Sequence, residues 1–321
     1  MRNTHWEKEA SKTVKEATNV SYQKQRAPSP DNICAVVVTY HPDEGFRQRL
    51  EHIGGQVDKV IIVDNRSSAS SLERIRTIST QLGTHLIPND ENLGIATALN
   101  QGVRYASSCG YKWALTLDQD TVPHPTMVQN LISAYNDCPF KEEVGIIGSN
   151  YLDRNTGRDA LYDGRYENRS WFEMKEVITS GSLISIPIFK KIGPFRDDFF
   201  IDAVDQEYCL RLRVNGFKVI SGRKSGMIHS IGNCEFKKFP WRNLAKLNHP
   251  PLRSYYIVRN NLLLVREYFW KEPGWALKSL YGLGKRFVST IIFEDNKILK
   301  IRYICLGICH ALLSKGGKVH E

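Results

Sequence analysis

An α/β fold, with a mostly parallel sheet flanked by helices, is the fold class this sequence predicts. Continuous β-branched runs such as Ile33–Thr39 and Val60–Val63 read as strands buried on both faces. Segments with helical apolar spacing separate them, so strand and helix alternate along the first half of the chain. Each of the first four strands also ends in polar or acidic residues, which marks one rim of the sheet.

The first strand, Ile33–Thr39, is followed by helical spacing over Asp43–Ile53. The second, Val60–Val63, ends at Asp64-Asn65 and leads into a helix over Ser70–Leu82. His85–Ile87 is a short third strand, Ile95–Ser107 a helix and Trp113–Leu117 a fourth strand. Met127–Tyr135 reads as helix and Val144–Gly148 as strand. Past Asn150 the alternation weakens, and Tyr151–Ser170 has the polar, glycine-rich character of a loop. Val177–Ile186 is strand-like but interrupted by Gly181. Asp202–Asn215 is a helix with Gly216 as its stop signal.

In open sheets of this kind, ligands bind beyond the carboxyl ends of the strands. The groups delivered there are Thr39-Tyr40, Asp64-Asn65, Asn89-Asp90 and Asp118-Gln119-Asp120. Asp118 and Asp120, spaced i, i+2 at a strand end, share one face. Two hard oxygen ligands on one face suit Mg²⁺ or Mn²⁺ shared with a ligand's phosphates; the alternative is an acidic turn that closes the strand. A Gly-x-Gly-x-x-Gly after the first strand is absent, as is a Walker phosphate loop. That argues against a dinucleotide dehydrogenase and a P-loop NTPase.

The chain has 321 residues and 41% apolar content, enough for one large domain or two small ones. Seven scattered cysteines without a Cys-x-x-Cys pair favour a reducing compartment. Residues 1–30 are polar, lack the apolar core of a signal peptide, and read as a flexible tail or a short surface helix. The charge is uneven: 18 Lys/Arg against 6 Asp/Glu from Gly222 to Glu321, but 20 against 25 from Asp31 to Ser221. A basic C-terminal third implies an anionic partner or a solvated basic face. The longest uncharged apolar run, Tyr303–Ser314, has 12 residues, too few to span a bilayer. Trp275–Tyr281 and Lys297–Leu313 instead suit amphipathic helices that lie on an anionic membrane surface or pack on the body.

Six segments resemble, in order, those of family 2 glycosyltransferases with a GT-A fold: Val36–Tyr40, Val60–Ser67, Asn92–Gly102, Leu115–Asp120, Val204–Arg211 and Tyr255–Asn260. Within that family the chain is most similar to bacterial rhamnosyltransferases of lipopolysaccharide O-antigen and other surface polysaccharides. The resemblance implies a GT-A domain over residues 31–265 and a basic helical region over 266–321. It implies a nucleotide-sugar donor, expected to be dTDP-rhamnose, with UDP-galactofuranose, UDP-galactose or UDP-glucose as alternatives. The acceptor would be a lipid-linked saccharide at the cytoplasmic face of the cell membrane.

The same resemblance assigns residues. Asp118 and Asp120 match the metal-binding Asp-x-Asp, and His229 stands where relatives supply a further metal or diphosphate contact; on sequence alone it is equally a structural histidine. Asp64 matches the nucleobase or ribose contact, with Thr39 and Tyr40 lining the same pocket. Asn92, Gly94 and Asn100 belong to a segment near the nucleotide and donor sugar, and Arg259 could hold the diphosphate. Thr179–Leu183 would run beneath the sugars, and Tyr255 and Tyr256 read as packing residues. Asp205 matches the general base, although the acid usual before it is replaced by Val204. Asp202 or Glu207 could share that role, or Glu207 could pair with Arg211. Single displacement would invert the anomeric carbon.

Two other classes compete. A nucleotidyltransferase would carry a glycine-rich basic loop after the first strand, whereas here it is His41–Arg47, acidic and poor in glycine. A basic nucleic-acid-binding protein would interleave aromatics with its charges on an exposed sheet; here the basic residues fall on helices, and no nucleic-acid partner is expected.

Overall fold

A computed structural model describes residues 25–154, 157, 159, 169–229, 235–239, 242–246 and 249–319. Strand β1 (Ile33–Thr39) lies between β2 (Lys59–Asp64) and β4 (Trp113–Asp118), with β3 (His85–Pro88) outside β2. These pairings are all parallel. Their register sets Thr39 beside Asp64 and Val38 beside Asp118, so the polar strand ends align along one rim.

Every residue of β1 is buried, as a β-branched strand covered on both faces requires. Cys34, Val36 and Val38 enter one core with α3 (Ile95–Ser108), α6 (Val204–Val214) and α7 (Pro251–Tyr268). Ile33, Ala35 and Val37 enter the other with α1 (Phe46–Gly54), α2 (Ala69–Leu82) and α4 (Met127–Asp137). The strand's period of two thus serves both layers at once. α2 starts on an N-cap, with the Ser71 N–H donating to Ser68 Oγ, and stops at Gly83 in the left-handed conformation.

Beyond β4 the sheet is mixed. β8 (Ser182–Ser185) runs antiparallel between β4 and β6 (Val144–Asp153). β6 pairs parallel with the long β9 (Lys218–His229), on which β5 (Val122–Pro123) and β7 (Trp171–Glu173) lie antiparallel. The parallel expectation therefore holds across β1–β4, and β8 reverses direction at the sheet's middle. Val177–Gly181 is not strand: Gly181 sits at φ +76° and donates its N–H to the Thr116 carbonyl. α5 (Ile186–Ile192) follows β8. α6 begins two residues later than the sequence suggests, because Asp202 and Ala203 are left-handed at φ 65° and 62°.

β10 (Glu235–Phe239) and β11 (Arg242–Lys246) form a separate hairpin. α7 packs against α8 (Pro273–Phe293) and α9 (Lys297–Leu312). The expected boundary at residue 265 falls inside α7, which runs through it unbroken. The expected tail lies outside the described residues up to residue 24. Residues 25–30 pack on the body, where Trp113 Nε1 donates to the Arg26 carbonyl at 2.9 Å. The loop expected over Tyr151–Ser170 begins only after β6, and residues 155–156, 158 and 160–168 of it lie outside the described residues. Among the described residues no helix is long and apolar enough to cross a membrane.

Candidate active site

Asp118 closes β4, and Asp120 follows in the turn where the Thr121 N–H returns to the Asp118 carbonyl. β5 pairs Val122 with Ile228, which brings His229 beside that turn. Ligand atoms of Asp118, Asp120 and His229 lie within 4.8 Å of one another. The Asp118 N–H donates to Ser180 Oγ at 3.0 Å, Ser180 Oγ meets Thr121 Oγ1 at 2.6 Å, and Thr121 Oγ1 meets His229 Nδ1 at 3.3 Å. With Nδ1 engaged, Nε2 is the histidine's remaining ligand atom. Gln119 ties the turn to β1: it accepts from the Tyr40 N–H at 2.7 Å and donates to the Tyr40 carbonyl at 3.0 Å.

Burial and the neighbouring Asp120 carboxylate push the Asp118 carboxyl up to about 6, against the pull of Arg253. Burial lowers the pKa of His229, which favours its neutral, ligating form. Two crowded carboxylates beside a neutral imidazole form a donor set that fits a divalent cation, whose charge would relieve the repulsion.

At the next strand end Asp64 is fully buried. It accepts from Thr39 Oγ1 at 2.9 Å, Ser67 Oγ at 2.6 Å and the Ser67 N–H at 2.9 Å. Its oxygens are thus held by neighbouring protein groups, while Tyr40, the next residue after Thr39, is half exposed. Asn65 links this strand end to the next segment: it donates to Asn92 Oδ1 at 3.0 Å and accepts from the Leu93 N–H at 3.0 Å.

Across the rim, Asp205 sits in the first turn of α6. Burial, with the carboxylates of Glu176 and Asp202 nearby, pushes its carboxyl up to about 6 against the Gln206 N–H that it accepts. The loop before it is contorted. Phe200 (φ 59°, ψ −62°) centres a γ-turn in which the Ile201 N–H meets the Phe199 carbonyl at 2.6 Å; this turn is rare and strained. Asn260 Nδ2 holds the loop through the Phe199, Ile201 and Asp202 carbonyls at 2.9–3.0 Å.

Several expected roles change. Arg259 is fully buried and donates to the Gly317, Asp198 and Phe199 carbonyls, so it braces this loop and does not face a diphosphate. Asn100 is fully buried as well, and its amide bonds the Phe195 backbone and Asp197. Gly94 does permit a close approach, but to the protein itself: an added Cβ would lie 2.4 Å from the Phe200 carbonyl oxygen. Glu207 is bound to Arg211 through two 2.8 Å contacts and is 1% exposed, which makes it structural.

Three residues were missed. Arg253 pairs with Asp202 and acts on Asp118, linking the two sides of the site. Glu176 faces Asp205 with one buried carboxylate oxygen that has no hydrogen-bond partner. Lys318 donates to the Asn92 carbonyl at 3.3 Å and stands 5.8 Å from the Phe200 ring centroid. Long-range contacts of this kind leave no local sequence signal, although Arg253 lies near the Tyr255–Asn260 segment.

A parallel sheet whose rim carries Asp118, Asp120 and His229, with a buried carboxylate on a nearby helix start, has the architecture of a GT-A type transferase. The chain belongs to glycosyl transferase family 2, whose model matches residues 34–193. It is 31% identical over 288 residues to dTDP-rhamnosyl transferase RfbF of Shigella flexneri, covering 85% of this chain and 92% of the relative. It is 22% identical over 214 residues to a low-salt glycan biosynthesis hexosyltransferase, Agl10, of Haloferax volcanii, covering 62% of this chain and 67% of the relative. Among solved structures it is similar to S. aureus TarS 1-349 in complex with UDP-GlcNAc, with TM-score 0.57, 15% identity and coverage of 87% and 81%. It is also similar to the mannosyltransferase PcManGT of Pyrobaculum calidifontis in complex with GDP-Man and Mn²⁺, with TM-score 0.54, 14% identity and 95% of both chains covered. At such identities these two structures establish a shared fold.

Proposed function

We propose that this glycosyltransferase moves L-rhamnose from dTDP-β-L-rhamnose to a saccharide acceptor, with inversion, during assembly of a cell-surface polysaccharide such as O-antigen. The observation that carries the donor is the 31% identity to a dTDP-rhamnosyl transferase, sustained over 85% of the chain. Residues 31–265 would form the catalytic domain, with α7 reaching into the helical region that follows.

Asp118, Asp120 and His229 would hold Mg²⁺ or Mn²⁺; that cation supplies positive charge against the departing diphosphate. Thr39, Tyr40 and Asp64 form the wall for the nucleoside, and Asn92, held by Asn65, borders the donor sugar. Asp205 accepts the proton of the acceptor hydroxyl as its oxygen bonds to the anomeric carbon. The bond from that carbon to the phosphate oxygen breaks, and its electron pair leaves with the diphosphate. Attack opposite the leaving group inverts the carbon. Arg253 adds a fixed positive charge on the diphosphate side. A lipid-linked acceptor would set the enzyme to work at the inner face of the cell membrane.

A donor panel tests this reading. Nucleotide release should occur with dTDP-rhamnose in Mg²⁺ or Mn²⁺, stop with EDTA, and fall to background in Asp120→Ala. Preference for UDP-galactofuranose, UDP-galactose or UDP-glucose would reassign the donor. Full turnover in EDTA would remove the metal from the mechanism.

A further inference from the structure

α8 buries Trp275 and Ala276 against the core at its start and Ser289 and Thr290 near its end. Its other side exposes Leu277, Tyr281, Phe287, Val288, Ile291 and Ile292. At about 100° per residue these positions fall within roughly 140° of one side of the helix, so they form one broad stripe. α9, packed beside it, adds the exposed Ile298, Leu312 and Leu313. Trp270, between α7 and α8, is 89% exposed. Apolar exposure this continuous marks an interaction surface.

The charges around the stripe say what it fits. Lys278, Lys297 and Arg302 are exposed, and Lys285 Nζ stands 5.9 Å from the Tyr281 ring centroid. Glu272 and Glu294 are tied to Arg213 and Lys300 inside the protein, which leaves Asp295 as the exposed acid of this hairpin. The outward charge is positive. A second copy of the chain would bring like charges together, whereas anionic headgroups would meet them with the opposite sign above an apolar layer.

We infer that the outer face of α8 and α9 docks on an anionic lipid bilayer, lying on it without crossing. The biological setting rests on the proposed lipid-linked acceptor; the surface itself rests on its own chemistry. α7, against which the hairpin packs, carries Arg253 at its first turn, so docking fixes the height of the active-site rim above the membrane.

Co-sedimentation with phosphatidylglycerol-containing vesicles tests the inference, with pure phosphatidylcholine vesicles as control. Binding is expected to the anionic vesicles and to weaken with salt. Lys278→Glu with Lys285→Glu should lower it by about tenfold or more. Phe287→Ser with Ile291→Ser should abolish it. Both variants change exposed or half-exposed positions outside the site, so their melting temperature and turnover on a water-soluble saccharide should stay near wild type. Wild-type protein that stays off anionic vesicles at low salt, or variants that bind as wild type does, would overturn the inference. A concentration-dependent dimer that the Phe287/Ile291 variant loses, without vesicle binding, would assign the face to a second copy and overturn it too. Vesicle binding without rhamnosyl transfer would sink the proposed activity and leave this surface standing.

Discussion

Arg253 meets Asp202 in a two-pronged ion pair, Nη2 to Oδ1 at 3.0 Å and Nε to Oδ2 at 3.2 Å. The same guanidinium favours the ionised form of Asp118. One side chain therefore steadies the loop that leads to Asp205 and tempers the acids at the end of β4. Arg253→Ala should lower kcat/KM by roughly a hundredfold. Arg253→Lys should recover only part of it, since lysine lacks the planar fork. Steady-state kinetics of the two variants settle the point: equal activity in both would remove the fork from the argument.

Asp205→Asn should separate chemistry from binding. The amide cannot take the acceptor proton, so kcat should fall by about 10²–10⁴-fold. Affinity for dTDP, read by calorimetry, should hold within about twofold, because on the proposed mechanism Asp205 serves the acceptor and not the nucleotide. Unchanged kcat would return the base role to another residue.

The pH profile should carry the same group. The Asp205 carboxyl is pushed up to about 6 by burial and neighbouring acids. A base works only when ionised, so log kcat/KM should drop with unit slope as pH falls below about 6 and level off above it. The acid limb should disappear from the residual activity of Asp205→Asn.

That upward shift also has a stability sign. In the unfolded chain an aspartate titrates near 4, so between about pH 4 and pH 6 the folded protein binds the extra proton and loses stability as pH rises. Above pH 6 the whole penalty is present. Asp205→Asn should then stabilise the protein by about 1–2 kcal/mol at pH 7.5, after discounting for partial exposure, and by nearly nothing at pH 4. Urea unfolding at the two pH values gives the answer; an equal gain at both would rule out ionisation as its source.

Gly94 combines a left-handed backbone with a collision against a backbone atom. Its φ is +85°, and an added Cβ would sit 2.4 Å from the Phe200 carbonyl oxygen. Gly94→Ala should cost about 2–4 kcal/mol. Gly83, at φ +65° with nothing within 4 Å of its Cβ position, isolates the backbone part; Gly83→Ala should cost about 1 kcal/mol. Denaturant midpoints of the two variants separate strain from collision.

The first four strands and their helices were legible because each carries a period that local residues impose. Ile33–Thr39 reads as doubly buried, and it is. The reversed strand Ser182–Ser185 was not, because direction in a sheet depends on a partner 66 residues away, as in the contact of Thr116 Oγ1 with the Ser182 carbonyl. The Asp118–Asp120 pair was readable as two acids on one face; His229, placed with them by resemblance alone, reaches them through β5 pairing with β9. Arg259 and Asn260 stood out as a pair in the sequence. Their use, gripping backbone carbonyls of the 198–202 loop, needed the fold.

The start of α3 has one more implication. The Ile95 N–H is taken by the Phe200 carbonyl at 2.7 Å, and the Asp197 carboxylate receives Thr97 Oγ1 and Asn100 Nδ2 alongside. A helix start normally offers a phosphate a ready-made positive end; here a backbone carbonyl takes its first N–H and a carboxylate stands beside it. On the proposed mechanism, the leaving diphosphate must then draw its counter-charge from a cation supplied by the surroundings and from Arg253. Sugar transfer would follow the cell's free divalent metal level, as a reaction whose electrostatics are in large part borrowed.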